Sequence, residues 1–433
     1  MILRDPVHGL VSFETPELSI VVELLQCPEL QRLRRIRQLG LTSFAYPGAD
    51  HTRFAHALGS AHVMTRFVAR LQGLHEALPY WQRITTERTR DAVAAALLHD
   101  IGHGPFSHLF EEALPAGPKH EEWTTRIILD PHSSVHRTLV RHDSALPQRV
   151  AQLILGDHPL QFLAHTVSGM FDVDRCDYLL RDAHATGVSY GSFDLDWLLR
   201  SLRLGFAESA DSSPPLAIDG DKGLPAIESF VLARLFMFQQ VYFHKASRAA
   251  EWMLSRILIR LRQLLLDGDR IEGVPAALRS LLCTEEAPLG EYLRLDDGAL
   301  WGGIAQWAEH KDPILSDLCR RLYNRNLFKT YELFGPGRTP EAYQTLLQIA
   351  RDLAQRQGLD PQMYVGLDHA LDVPFEDEKD SLRVIFPNGL SQAPADVSFV
   401  LRRLRGEKLE RIRLIYPVEI RNELLGKASE QCL

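Results

Sequence analysis

The chain has 433 residues and a formal net charge of −8, long enough for two or three domains and a sizeable buried core. With 45% hydrophobic and 24% charged residues, its make-up excludes a disordered, collagen-like or coiled-coil chain. The acidic balance argues against adhesion to nucleic acid by bulk electrostatics.

Met1 to Gly9 carries Arg4, Asp5 and Pro6 with no apolar run behind them, so neither a signal peptide nor a membrane span is expected there. Val21, Leu24 and Leu25, then Leu30, Leu33 and Ile36, recur at helical spacing with a break at Pro28. Arg32, Arg34, Arg35 and Arg37 form a local basic patch. Helical spacing returns over 62–74 and over 91–100, where Ala94, Ala95 and Ala96 favour a tightly packed interior helix. Further helices are expected over 121–129, 148–155 and 174–185. The segment 207–223, rich in Ser, Pro, Asp and Gly, predicts a loop with a short hairpin around Gly220. Residues 227–266 predict one long helix or two. Runs of branched residues at 382–386 and 412–416, bounded by Pro387, Gly389 and Pro417, predict strands, and the charged run from Glu376 to Asp380 a solvated loop. The expected division is a core over 1–200, a helical extension over 201–314 and a smaller α+β domain over 315–433. Cys27, Cys176, Cys283, Cys319 and Cys432 are scattered without a CxxC pair, which argues against disulfides or a thiolate zinc site and for a reducing cytoplasm.

Fifteen of the 18 histidines lie at or before His184, so the chemistry is expected in the first half. His99 and Asp100 end an apolar helix, where an unpaired pair would be costly to bury and a divalent metal would relieve that cost. Gly102 and Gly104 bend the backbone so that His103 and His108 can approach the same point. Arg53, between His51 and His56, suits bidentate contact with phosphate. Asp172, Asp174, Asp177 and Asp182 crowd an otherwise apolar helical pattern and need cations, from a metal, from Arg175 and Arg181, or from both.

TRFAH at 52–56, LLHDIGHGPFSH at 97–108 and DVDRCDYLLRD at 172–182 together resemble the H…HD…D pattern of the HD-domain phosphohydrolases. DPVHG at 5–9, QRLRRIRQLG at 31–40 and YPGADHTRFAHALG at 46–59 resemble the deoxynucleoside triphosphate triphosphohydrolase branch. The likeness runs over about 3–200 and more loosely to about 260, through VYFHKASRA. It implies a mainly α fold, an HD helical core with a smaller C-terminal α+β region. It implies a divalent transition metal (iron, manganese or nickel) on His56, His99, Asp100 and Asp174, with a second ion such as magnesium as an option. Arg53, His103, His108, His120, Arg175 and Tyr178 match family positions for triphosphate or catalysis, Gln38, Leu39 and Asp182 positions around the deoxyribose, and Tyr242 one near sugar and base. His108, steered by Glu111, is the expected general acid for the leaving 5′ oxygen, while His103 and His120 orient phosphates. Phe243 replaces the family's base-contacting glutamine and Gln26 its acidic guanine reader, so GTP is not expected to be an obligatory activator. The expected partners are a nucleotide substrate and further copies of the chain, as dimer or tetramer, with no membrane. An HD-type nuclease or nucleotide phosphodiesterase is the alternative enzyme. A non-catalytic nucleic-acid module using Arg32 to Arg37 and Arg402 to Arg413 is the least favoured reading.

Overall fold

A computed structural model describes residues 1–74, 78–114, 117–206, 212–333, 339–376 and 382–430. It is mainly helical, with three small sheets among the described residues. Seven helices position the site: α1 (Arg53–Gln72), α2 (Thr86–Leu98), α3 (His108–Ala113), α4 (His120–Leu129), α5 (Val173–Thr186), α6 (Leu224–Met237) and α7 (Lys245–Leu266). No helix among the described residues is long and apolar enough to cross a membrane.

Helix α1 begins well before the periodic stretch at 62–74, because the Thr52 hydroxyl accepts the Ala55 N–H and starts the helix there. The alanine run of α2 is wholly buried, its small side chains letting α1 and neighbouring helices pack close. Asp172 caps α5 by accepting the Arg175 N–H at 2.7 Å, and Gly187, at φ +75°, ends it. The stretch 227–266 is two helices joined by a π-helical turn at Phe238–Tyr242, which turns Tyr242 toward the cleft. The opening differs from the sequence reading. A hairpin of β1 (Ile2–Asp5) and β2 (Gly9–Ser12) precedes the short helices Ser19–Leu24 and Pro28–Gln31.

The second sheet runs β3 (Leu202–Leu204), β4 (Leu216–Asp219), β7 (Arg383–Ile385) and β8 (Ser391–Gln392), with β4 and β7 parallel. It ties the 201–314 stretch to residues beyond 315. No hairpin turns at Gly220: β4 pairs back to β3, and Gly220 sits where a Cβ would meet Phe386 at 2.6 Å. The third sheet orders β5 (Lys329–Glu332), β9 (Leu409–Tyr416) and β6 (Gly366–Asp372), so both predicted strands are present. Residues 377–380 of the charged run and Cys432 lie outside the described residues. Each basic patch loses one arginine to the interior, while Arg34, Arg35, Arg402 and Arg403 stay exposed. Arg32 is buried, donating to the Leu295 carbonyl at 2.8 Å, and Arg413 is buried against Glu332.

One apolar core includes Leu97, Leu98 and Ile101; a second includes Phe106, Phe110 and Met253. The segment 99–107 crosses between them, and its turn has a cost, since Phe106 and Ser107 stand at φ 56° and 61°. Left-handed backbone costs roughly 1–2 kcal/mol per residue. Burying the Phe106 ring contributes about 1.5–3 kcal/mol, which offsets its own strain.

Candidate active site

Three contacts hold this strained segment. Asp297 accepts the N–H of Phe106 at 2.8 Å and of Arg37 at 2.9 Å, and the Ser107 hydroxyl donates to the Arg37 carbonyl at 3.0 Å. Gly102 is required by a close approach: a Cβ there would stand 2.2 Å from the His120 carbonyl and 2.3 Å from the Thr124 nitrogen. Across that contact the Thr124 hydroxyl accepts from Gly102 N and donates to His99 O, both at 3.0 Å, so the start of α4 is fastened to the 99–103 turn.

His56 from α1, His99 and Asp100 from the end of α2, and Asp174 from α5 converge. The His56 Nε2 lies 3.3 Å from His99 Nε2, 3.0 Å from Asp174 Oδ1 and 3.7 Å from Asp100 Oδ2. His99 Nε2 lies 3.5 Å from Asp174 Oδ1 and 3.4 Å from Asp100 Oδ1. His99 Nδ1 faces the Ala96 carbonyl at 2.9 Å, which only accepts, so its Nε2 presents a lone pair. His56 Nδ1 meets Asp177 at 2.8 Å to the same effect. Burial opposes charge on His56, yet hydrogen bonds with Asp174 and Asp177 outweigh it and raise its pKa to about 10, so the pocket favours positive charge. A proton there satisfies one pair of atoms; a metal ion satisfies His56, His99 and Asp174 together, whose ligand atoms all lie within 4.8 Å of one another, while Asp100 stands outside that trio and is held by Arg53. Ligand atoms about 2.0–2.2 Å from one ion stand roughly 3.0–3.5 Å apart, which matches the separations among His56, His99 and Asp174. The residues fit a divalent metal with nitrogen and oxygen ligands.

Beside them, His103, His108, Glu111 and His120 each bring a potential ligand atom within 4.8 Å of the others. His103 and His120 stack at 3.8 Å, with His108 edge-on to both. Burial, then the Arg53 charge, holds His103 well below the ordinary imidazole range, hence neutral. Glu111 departs from its expected role. It accepts from His120 Nδ1 at 3.1 Å and faces His103 Nδ1 at 3.5 Å, so its hydrogen-bonding partner is His120 and not His108. Arg53 bonds both Asp100 and Ser107.

A cavity of about 870 Å³ opens over both groups. Gln38, Leu39, Arg53, Asp100, His103, His108, His120, Asp174, Arg175, Tyr178, Asp182 and Tyr242 line it, while His56, His99 and Glu111 lie behind its wall. Asp182 is buried between His51 Nε2 at 2.7 Å and the Tyr242 hydroxyl, which donates at 2.9 Å. Three of the four aspartates at the start of α5 and along it find separate partners: Asp172 pairs with Arg175, Asp174 faces the two histidines, and Asp177 pairs with Arg181, while Asp182 has His51 and Tyr242.

Sequence reasoning missed the support behind His56. His8 Nε2 meets Asp177 Oδ1 at 2.6 Å, and Arg181 spans Asp177 and Asp5. Arg181 and the hydrogen bonds from His56 and His8 overcome burial and keep Asp177 well below the usual carboxylate range. The signals were the DPVHG run and the spacing of Asp174, Asp177 and Arg181 on one helical face. Arg234, on α6, also lines the cavity without having been anticipated.

The HD domain family model matches residues 53–182, and the HD associated region model matches 194–269. The chain is 33% identical over 426 residues to the uncharacterized protein YwfO of Bacillus subtilis, covering 97% of this chain and 92% of that protein. It is 26% identical over 363 residues to the deoxynucleoside triphosphate triphosphohydrolase SAMHD1 of Homo sapiens, covering 76% of this chain and 54% of that one. A phosphohydrolase structure from Bacteroides thetaiotaomicron superposes with a TM-score of 0.78 at 31% identity, covering 96% of this chain and 99% of that one. The H…HD…D residues that meet on α1, α2 and α5 thus fall inside a matched domain, and the chain belongs to the HD-domain phosphohydrolases, with the HD-associated region following the domain.

Proposed function

We propose that the chain hydrolyses deoxynucleoside triphosphates to deoxynucleoside and inorganic triphosphate, with a divalent transition metal on His56, His99, Asp100 and Asp174. The observation that carries this reading is one cavity lined by both Asp100 and Asp174 and by the Asp182–Tyr242 pair, which offers a buried carboxylate for a sugar hydroxyl. The similarity to SAMHD1 supports the nucleotide class. A bound ion supplies Lewis acidity, acidifying water and offsetting phosphate charge.

The side chains do the rest. Arg53 and Arg175 set guanidinium groups against the phosphate oxygens. His103, held neutral, and His120 beside it donate hydrogen bonds that orient the chain of phosphates. His108, at the head of α3, donates the proton that the leaving 5′ oxygen needs. Asp182 and Gln38 hold the 3′ hydroxyl, and Leu39 packs where a ribose 2′ hydroxyl would stand.

The test is metal-analysed protein incubated with each dNTP, each NTP and a short oligonucleotide, with products separated by chromatography. Release of intact triphosphate from dNTPs is expected. Leu39→Ala should raise NTP turnover relative to dNTP, since an apolar wall rejects an added hydroxyl by about 10²-fold. Cleavage of the oligonucleotide with dNTPs untouched would replace this reading with the nuclease.

A further inference from the structure

On α1, beyond the metal ligand, Arg66 and Arg70 stand one turn apart. They face the helix Leu195–Ser201 across a cavity of about 290 Å³, lined by Arg66, Arg70, Asp196, Leu199 and Arg200. It shares no residue with the active-site cavity. We propose that it is a second, non-catalytic anion site that takes the oligophosphate chain of a soluble ligand.

The cationic donors there exceed their partners. Arg66 pairs with Asp196, and Arg203, next to the cavity, donates to Asp219 at 2.7 Å. Arg200 is exposed, and among the described residues its guanidinium has no partner. Arg70 donates from Nη2 to the Leu202 carbonyl at 3.0 Å, but its Nε is buried without an acceptor. That unmet donor is one an anion would satisfy. Burial, and then the nearby charge of Arg203, lowers the Arg70 pKa, as expected where like charges gather without a counter-anion.

Forked guanidinium donors match phosphate oxygens. Whole small-molecule pockets measure about 300–1,000 Å³, so this one suits a phosphate chain better than an entire nucleotide. A nucleic-acid backbone needs a longer basic track, which a net charge of −8 does not supply.

Hydrogen–deuterium exchange of the full chain with millimolar inorganic triphosphate, or with ATP, is the test. Both ligands should slow exchange saturably in 66–72 and 195–204. Arg200→Glu, at an exposed and unpartnered position that the fold does not need, should weaken that protection about tenfold, and Arg70→Gln should do likewise. No protection at 66–72 and 195–204 with triphosphate, protection by ATP alone, or protection undiminished in Arg200→Glu overturns the site. Failure of dNTP hydrolysis leaves this test intact, because it reads segments away from the metal cluster.

Discussion

His56 is wholly buried, and its orientation is set by residues that touch no substrate. The run from His8 through Asp177 to His56 Nδ1, with contacts of 2.6 and 2.8 Å, leaves Nε2 to face the other ligands. His8→Ala should leave the helices formed but weaken metal binding by about 10- to 100-fold, the usual cost of losing a partner behind a ligating histidine. Metal titration followed by elemental analysis checks this, and an unchanged affinity would show that Arg181 alone orients Asp177. His108 gives the contrasting case. His108→Ala should keep its metal and lose about 10²- to 10⁴-fold in kcat if it is the acid. A near-normal kcat would pass that role to His120, whose Nδ1 is already engaged by Glu111.

At the scale of elements, the critical contact is the one between the turn after α2 and the head of α4. Gly102 lets backbone meet backbone there, and a Cβ 2.2 Å from the His120 carbonyl has no flexible side chain to push aside. Gly102→Ala should therefore displace α4. The expected result is a stability loss of about 1–3 kcal/mol, typical of overpacking, together with a loss of activity larger than that of His120→Ala. Denaturant titration and turnover, measured side by side, separate the two effects. Full activity in Gly102→Ala would mean that His120 does not depend on this approach. The π-helical turn at Phe238–Tyr242 has a similar positioning part, since it aims the Tyr242 hydroxyl at Asp182.

For the whole molecule, the proposed metal site joins side chains carried by three helices, α1, α2 and α5. An ion binding only the folded chain stabilises it by about 2.7 kcal/mol at a hundred times its Kd. Calorimetry with and without a chelator should thus show a lower Tm in the stripped protein. His99→Ala should remove that difference. A Tm indifferent to chelator in the unmodified chain would count against four-ligand binding.

The amino-acid sequence by itself determined the helices that carry the site and the residues at their ends. Periodicity acts over a few residues, so the stretches at 62–74, 91–100, 121–129 and 174–185 are visible without a fold, whereas the caps at Thr52 and Asp172 and the stop at Gly187 came from the structure. The strands at 383–385 and 409–416 were legible for the same local reason. Only the tertiary structure decided which charges meet. Glu111 stands three residues after His108, yet it bonds His120, because the close approach at Gly102 brings α4 to it. Arg32 reads as part of a surface patch but is drawn inside by carbonyls at Leu295 and Ile101, the former 263 positions away. The pairing of β4 with β7, which fastens residues 217–219 to 383–385, likewise has no local signal. Partners so distant in sequence are chosen by how apolar faces pack, and the polar atoms carried along with those faces must satisfy whatever they meet.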